Sequence, residues 1–347
     1  MDRTTQQMMM GASGASRVAR SIAVAHANSP FISAYAWSSS GFGTKFSNPA
    51  ALPNSVGRSV AFSPDSSAIA VGHEGSPYIT VYPWSSSGFG TKFANPATLP
   101  PFTVLGVAFS PDGSSIAASH GNSPFITVYP WSSSGFGTKF SNPGTLPPAA
   151  GWSVSFSPDN SAIAVGHANS PFITAYPWSS SGFGTKFSNP ATLPTGLVRG
   201  VAFSPDGSAI AMAQEVSPFI TAYAWSSSGF GTRFADPSSL PVAFSTGIAF
   251  SPDNSAIAVS HDTSPRVTAY TWSSSGFGTR FADPSSLPAN TGQSVAFSPD
   301  GLAIAVAHDN TPFISAYPWS SSGFGTRFTN PATNPGGNGR GVAFGTV

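Results

Sequence analysis

The chain is built from one sequence unit that returns every 47 residues. The run Trp-Ser-Ser-Ser-Gly-Phe-Gly-Thr starts at Trp37 and returns, without insertion or deletion, at Trp84, Trp131, Trp178, Trp225, Trp272 and Trp319. Units of this size cannot bury their apolar faces alone, so they are stable only when stacked on their neighbours. A chain of 347 residues would otherwise suggest two domains. The period therefore favours one repeat domain with seven similar parts.

Each unit contains four short segments that are typical of β-strands. In the second unit, residues 59–63 and 68–71 alternate large and small side chains, and a Ser-Pro-Asp turn joins them. Residues 78–82 are β-branched and aromatic, and residues 90–93 form a short fourth segment. Four such strands joined by turns make an antiparallel blade. The sequence therefore predicts an all-β fold, a single seven-bladed β-propeller of four-stranded antiparallel blades.

The side chains of a unit also predict how the blades pack. Bulky and tiny residues interleave along the first two strands. The bulky set in the second unit is Val60, Phe62, Ile69 and Val71, and the tiny set is Ala61, Ala68, Ala70 and Gly72. We expect the bulky face of one blade to lie against the small face of the next.

The two ends of the chain are complementary. A step of 47 residues back from Val60 reaches residues 13–15, Ser-Gly-Ala, which do not resemble a first strand, whereas residues 342–344 repeat Val-Ala-Phe with no blade after them. The C-terminal strand is therefore expected to complete the N-terminal blade and close the ring, which removes free sheet edges. Residues 21–347 are the expected propeller. Residues 1–20 match no unit and are either a disordered tail or an arm that attaches to another subunit. We favour the arm, because residues 8–10 (Met-Met-Met) form an adaptable apolar patch.

Two resemblances follow from these motifs. The Val-Ala-Phe-Ser-Pro-Asp-Gly run from Val201 to Gly207, together with the strand order and the shared closing blade, resembles the WD-repeat β-propeller family over residues 21–347. The Trp-Asp dipeptide of that family is absent, because Ser85 follows Trp84, and its polar network is not carried over. The run Tyr-Pro-Trp-Ser-Ser-Ser-Gly-Phe-Gly-Thr-Lys-Phe-Ser-Asn-Pro is similar to repeat proteins of tailed bacteriophages.

The periodic polar residues favour structural roles. Six histidines share one phase, in which Gln214 holds the seventh place: His26, His73, His120, His167, His261 and His308. Each belongs to a different blade, so we expect a hydrogen bond after the second strand rather than a shared metal ion. The aspartates of the Ser-Pro-Asp turns should bond the local backbone. A ring of Lys and Arg on the outer strands guards sheet edges.

Composition narrows the function classes. The net charge of +1 offers no field for nucleic acid, and the absence of cysteine excludes thiolate chemistry and disulfides. No apolar run approaches the roughly 20 residues that span a bilayer, and residues 1–20 do not read as a secretory signal. No nucleophile elbow, His-Glu-x-x-His or Cys-x-x-Cys motif occurs. We therefore expect no enzyme, no catalytic or metal residues, no cofactor, no nucleic acid and no membrane insertion.

The seven copies differ mainly in two loops, and these loops lie on one face of the predicted disc. They join the fourth strand to the next first strand and the second strand to the third. Aromatic and arginine side chains are the usual anchors of an interface. The candidate binding residues on this variable face are Arg58, Phe102, Leu105, Trp152, Leu197, Arg199 and Phe244. Selection for binding and drift in unconstrained loops both stay open as explanations.

These patterns and resemblances lead to one leading functional hypothesis and two alternatives. The protein is expected to be a non-enzymatic component of a phage virion, in the tail or the capsid. Its variable face would contact a host protein, a surface glycan or a neighbouring virion protein, and residues 1–20 would hold it in the particle. The first alternative is a cytoplasmic scaffold of the WD-repeat kind, and the second is a glycan-binding lectin, or an enzyme, that uses the central channel.

Overall fold

The predicted architecture is confirmed. A computed structural model describes residues 18–347, which form 28 strands and, within that range, no helix. The strands assemble into seven four-stranded sheets, and the strands of each sheet pair antiparallel with their neighbours in chain order. The fold is an all-β ring of seven blades, as the fixed period indicated.

The blades have the following strands. Blade 1 consists of β1 (Ser21–His26), β2 (Ile32–Ser38), β3 (Gly41–Lys45) and β28 (Gly339–Gly345). Blade 2 consists of β4 (Gly57–Phe62), β5 (Ala68–His73), β6 (Ile79–Ser85) and β7 (Gly88–Phe89). Blade 3 consists of β8 (Val104–Phe109), β9 (Ser115–His120), β10 (Ile126–Ser132) and β11 (Gly135–Phe136). Blade 4 consists of β12 (Gly151–Phe156), β13 (Ala162–His167), β14 (Ile173–Ser179) and β15 (Gly182–Phe183).

Blades 5 to 7 follow the same order. Blade 5 consists of β16 (Val198–Phe203), β17 (Ala209–Gln214), β18 (Ile220–Ser226) and β19 (Gly229–Arg233). Blade 6 consists of β20 (Ser245–Phe250), β21 (Ala256–His261), β22 (Val267–Ser273) and β23 (Gly276–Arg280). Blade 7 consists of β24 (Gly292–Phe297), β25 (Ala303–His308), β26 (Ile314–Ser320) and β27 (Gly323–Phe324).

The ring closes through the last strand of the chain, as expected. Strand β28 pairs antiparallel with β1, with Ser21 opposite Gly345. The hydroxyl of Ser21 also donates to the carbonyl oxygen of Val347 at 2.9 Å. The first strands of the blades contact one another in sequence, from β4 through β8, β12, β16, β20 and β24 to β28, and β28 contacts β4. These seven strands surround a central channel.

The cores between blades confirm the predicted packing of large against small faces. Val60, Ile69 and Val71 of blade 2 lie in one buried cluster with Ala23 and Ala25 of blade 1. Equivalent clusters join the other neighbouring blades. Burial of each such Val or Ile contributes roughly 1.5–3 kcal/mol, so the stabilisation repeats around the ring.

The Trp-Ser-Ser-Ser-Gly-Phe motif holds the outer part of each blade interface. The ring of Trp84 makes edge-on contacts with Phe46 of blade 1 and with Phe62 and Phe89 of its own blade, at centroid distances of 5.0, 5.4 and 4.9 Å. Gly88 has a φ of +93°, and a Cβ there would lie 3.0 Å from the Phe46 ring. Glycine is therefore required by both the backbone and the neighbouring aromatic ring.

The fourth strands differ from the expected segment at residues 90–93. In blade 2 the strand is Gly88–Phe89, whereas in blades 1, 5 and 6 it extends over five residues. The four short strands occur in the blades whose third strand contains proline, at Pro83, Pro130, Pro177 and Pro318. The long ones accompany Ala36, Ala224 and Thr271. Proline has no N–H to donate to the outer strand, so the ladder stops there.

Candidate functional site

Seven side chains, one from each first strand, surround the mouth of the central channel. We call them the mouth ring, and in order around the ring they are Arg340, Arg58, Leu105, Trp152, Arg199, Thr246 and Gln293. They line a cavity of about 200 Å³. The cavity lies at the end of the channel that faces the variable loops, because each of these residues is the second residue of its strand.

Each mouth-ring residue occupies a β-bulge. In blade 2, Gly57 pairs with His73 and Ser59 pairs with Gly72, so Arg58 is the extra residue between them. The same register shift occurs in the other six blades. A bulge leaves its extra residue out of the ladder and redirects the side chain, and bulges are frequent beside active sites. The bulges thus place seven variable side chains around one cavity.

Three carboxylates hold the arginines of the mouth ring. Arg58 forms an ion pair with Glu74, and Arg199 donates from Nε to Oε1 of Glu215 at 2.7 Å. Arg340 lies 3.4 Å from Asp309, measured between Nη1 and Oδ1. These carboxylates come from the loops between second and third strands and do not line the cavity. Among the described residues, every charged side chain that lines it is a guanidinium.

Arg199 is also held by aromatic rings. Its guanidinium carbon lies 4.3 Å from the ring centroid of Trp152 and 5.8 Å from that of Phe244. Such cation–π contacts contribute about 0.5–2 kcal/mol, depending on desolvation. With Glu215 on its edge, this guanidinium is fixed in position before any ligand arrives.

Two of the three serines below the mouth ring join neighbouring blades. The backbone N–H of Val107 donates to Oγ of Ser59 at 3.1 Å, and that of Val201 donates to Oγ of Ser153 at the same distance. Blade 7 has Ser294 at this position, and the other four blades have glycine: Gly106, Gly200, Gly247 and Gly341. A Cβ at Gly106 would lie 3.3 Å from the carbonyl oxygen of Trp152, which shows how closely neighbouring first strands approach.

The structure brings together four of the seven candidate residues at the cavity, namely Arg58, Leu105, Trp152 and Arg199. Phe244 contacts the fourth of these, and the carbonyl oxygen of Leu197 accepts the N–H of Glu215 at 3.0 Å. Phe102 is exposed and packs near Tyr78, with 6.4 Å between ring centroids. Binding by the variable face stays a prediction.

Sequence reasoning did not include Arg340, Thr246 and Gln293 among the candidate site residues. Steps of 47 residues from Arg58 reach all three, so the repeat phase was the signal that could have found them. The predicted attachment role of residues 1–20, including the methionine patch at 8–10, falls mainly on residues 1–17, which lie outside the described range. That role and the cellular location also stay predictions.

The histidines have the predicted hydrogen-bonding role. His120 is fully buried, and its Nε2 lies 2.9 Å from the hydroxyl of Thr127 on the next strand. Burial lowers the pKa of His120 to about 4, so the ring is neutral near pH 7. In the seventh place, the hydroxyl of Thr221 donates to Oε1 of Gln214 at 3.4 Å. Within residues 18–347, no group of three or more His, Cys, Asp or Glu side chains forms a candidate metal site.

The aspartates and outer cations also have local partners. Oδ1 of Asp65 accepts from the hydroxyl of Ser63 at 2.6 Å and from the N–H of Ser67 at 3.0 Å. Lys92 donates from Nζ to Oδ1 of Asn95 at 2.5 Å. The interpretation of the aspartates as turn residues is confirmed. No helix in the described part of the chain is long and apolar enough to cross a membrane.

Comparison with known proteins shows the fold and no family. No protein-family model and no curated protein sequence matches the chain. A putative 6-phosphogluconolactonase from Bacteroides fragilis NCTC 9343 superposes with a TM-score of 0.76 at 14% identity, covering 96% of this chain and 99% of that one. One from Bacteroides uniformis ATCC 8492 gives 0.73 at 17% identity, covering 94% and 99%. The periplasmic gluconolactonase PpgL of Pseudomonas aeruginosa gives 0.69 at 16% identity, covering 93% and 98%.

These similarities overturn the functional hypothesis drawn from the sequence. The seven-bladed propeller is supported, but the solved structures just named give no support to a WD-repeat or phage identity. The hypothesis of a non-enzymatic phage virion component is contradicted, and so is the expectation that the chain is not an enzyme, because these neighbours carry the names of lactonases. Sequence motifs could not reveal the mouth ring, because each blade contributes only one residue to it.

Proposed function

We propose that the protein binds a small sugar lactone at the mouth ring and catalyses its hydrolysis. The observation that carries this proposal is the set of three guanidiniums around one cavity, each placed by a bulge and each held by a carboxylate. The volume of about 200 Å³ lies below the roughly 300–1,000 Å³ of pockets for drug-sized ligands. A single small ring fits this size, and a polymer does not.

The names of the structural neighbours support the same reaction class. Two of them are putative 6-phosphogluconolactonases and one is a gluconolactonase. At 14–17% identity the likeness itself extends only to the fold. The arginines of this chain therefore carry the argument, and the neighbours supply the kind of substrate to test first.

Hydrolysis of a lactone requires stabilisation of an oxyanion. Water adds to the lactone carbonyl carbon, and negative charge develops on the carbonyl oxygen. Arg199 is the residue we assign to that oxygen, because Trp152, Phe244 and Glu215 fix its guanidinium beforehand. The bond from the carbonyl carbon to the ring oxygen then breaks, and the ring oxygen takes up one proton of the water that attacked, while the other stays on the new carboxyl group. The acid product loses a proton near neutral pH, so each turnover releases one.

Direct attack by water suits the described residues better than a covalent intermediate. Three serines, Ser59, Ser153 and Ser294, line the cavity, and the hydroxyls of the first two accept a backbone N–H from the next blade. His73, which pairs with the strand residue before Arg58, is fully buried and bonded through Nε2 to Thr80. A nucleophilic serine needs an adjacent base, and among the residues that line the cavity there is none.

The test is proton release from glucono-δ-lactone and from its 6-phosphate, measured against the spontaneous rate in the same weak buffer. We expect acceleration by the wild type and a loss of roughly 10²–10³ in kcat for Arg199→Gln, the cost of removing one oxyanion donor. The matched control is Arg280→Gln, which removes an arginine paired with Asp283 on an outer strand. The absence of acceleration with both lactones, or equal rates for Arg199→Gln and the wild type, would overturn the proposal.

A further inference from the structure

Two arginines of the mouth ring meet where the ring closes. Arg58 lies on β4 and Arg340 on β28, and these first strands are neighbours. A Cβ at Gly341 would lie 3.0 Å from Cα of Ser59 and 3.3 Å from the carbonyl oxygen of Arg58. The two bulges therefore sit side by side and direct both guanidiniums to the same side of the cavity.

These two arginines retain more hydrogen-bonding capacity than Arg199. A guanidinium has five N–H donors. Arg58 uses Nη2 for Glu74, and Arg340 approaches Asp309 only through Nη1 at 3.4 Å. The Nε atoms of both are buried and lack an acceptor among the described residues, whereas Nε of Arg199 donates to Glu215. Both side chains are otherwise partly exposed, so the remaining Nη donors of Arg58 and Arg340 can take up further acceptors.

The wall of the cavity next to Arg58 has different chemistry. Going round the ring from Arg58, the next two residues are Leu105 and Trp152. Trp152 is half-buried, and one face of its ring already carries Arg199. The mouth ring thus combines a cationic arc at the ring closure with an apolar arc beside it. A ligand with an anionic group at one end and a carbon face at the other matches both.

We propose that Arg58 and Arg340 form an anion subsite, which takes the phosphate or carboxylate of a small sugar acid or its lactone while the carbon face of the sugar lies towards Trp152. The inference deepens the proposed function, because it names the class of ligand for the same cavity. Phosphate on the substrate and carboxylate on the hydrolysed product are the two sources of the anionic oxygens. Arginine suits both, since its planar fork matches two oxygens at once.

The test is isothermal titration calorimetry with inorganic phosphate, gluconate and 6-phosphogluconate. We expect saturable binding to the wild type and at least roughly tenfold weaker binding to Arg58→Gln and to Arg340→Gln, as for loss of a charge-assisted hydrogen bond. Arg327→Gln, three residues beyond the outer strand β27, is the control and should bind like the wild type. Tighter binding of phosphate than of gluconate assigns the subsite to a phosphate ester, and the reverse order assigns it to the carboxylate.

Two outcomes would overturn the subsite: no binding of any of the three anions to the wild type, or unchanged binding to both single variants. Circular dichroism and the melting temperature show whether each variant is folded. If a glutamine variant does not fold, Arg58→Lys or Arg340→Lys replaces it in the titration. Calorimetry needs no turnover, so its result is separate from that of the lactone assay. Binding of an anion without lactone hydrolysis would support the subsite and refute the proposed reaction. Lactone hydrolysis without binding of any of the three anions would support the reaction and refute the subsite.

Discussion

The guanidinium carbon of Arg199 lies 4.3 Å from the ring centroid of Trp152, across the boundary between blades 4 and 5. Trp152 is the only tryptophan of the chain outside the 47-residue phase, and both residues occupy β-bulges at the channel mouth. The contact is therefore a feature of two particular blades rather than of the repeat. It breaks the sevenfold symmetry at the place where a small ligand would bind.

Replacement of Trp152 should separate function from stability. Trp152→Ala removes a half-buried ring and its cation–π contact, so we expect the free energy of unfolding to fall by only about 1 kcal/mol. Lactone hydrolysis should fall much further, because Arg199 loses one of its supports.

Trp178→Ala is the matched control, since Trp178 is buried against Phe140, Phe156 and Phe183. That core substitution should cost about 3–5 kcal/mol. Denaturant unfolding and the proton-release assay measure both effects, and a large stability loss in Trp152→Ala would contradict this separation.

The buried histidines should make the fold sensitive to mild acid. Burial lowers the pKa of His26, His73, His120, His167 and His261 to about 4, below the ordinary value of 6.5. Between these values the unfolded chain binds more protons than the folded one. Stability is therefore complete above pH 6.5 and falls as the pH drops towards 4, by up to about 1.4 kcal/mol per pH unit for each histidine.

One variant tests this acid sensitivity directly. His167→Gln copies the residue that blade 5 already has at Gln214, so the fold should tolerate it. The slope of unfolding free energy against pH between 4 and 6.5 should then decrease by the contribution of one histidine, which is up to about 1.4 kcal/mol per pH unit. Urea unfolding at a series of pH values measures the slope. An unchanged slope would show that His167 titrates alike in the folded and unfolded chain.

Proline in the third strand should determine the length of the fourth. In Pro83→Ala, residue 83 gains an N–H that faces the outer strand, because the carbonyl oxygen of Pro83 already accepts the N–H of Gly90 at 2.8 Å. We expect β7 to lengthen towards the five residues of β3, the new amide of residue 83 to exchange slowly, and exchange at residues 91–92 to be slower than in the wild type. Overall stability should change little, since the new hydrogen bond offsets the greater freedom of the unfolded chain. Ala36→Pro should have the opposite effect on β3, and fast exchange at residue 83 would refute the explanation.

The closing strand should be essential to the ring and to the anion subsite together. Deletion of residues 339–347 removes Arg340 and also Val342 and Phe344, which are buried in the core of blade 1. It exposes one edge of β1, and exposed edges promote association. We expect a lower melting temperature and oligomers on gel filtration. A synthetic peptide of residues 339–347, added back, should restore the monomer and phosphate binding, whereas an intact monomer without the peptide would contradict the role of β28.

Most of the scaffold was predictable from the sequence, because its causes are local or repeated. The Ser-Pro-Asp turn at Asp65 depends only on residues close to it in sequence. The large and small faces of blade 2 recur in every unit. The fourth strand was misplaced at both ends: it begins at Gly88, within the predicted turn, and the missing N–H of Pro83 ends it at Phe89. Of the candidate site residues, Phe102 was included for its size, yet its ring lies over Tyr78 and does not line the cavity.

The sequence by itself determined the number of blades, their strand order and the closure of the ring, since a fixed period without insertions leaves each unit the same shape to pack. Tertiary structure alone decided which variable residues form one site. Arg58 and Arg340 come from opposite ends of the chain, and only the pairing of β28 with β1 brings them side by side. The bulges that direct these two side chains towards the cavity arise from the register between neighbouring strands. That register cannot be read from the sequence of one unit.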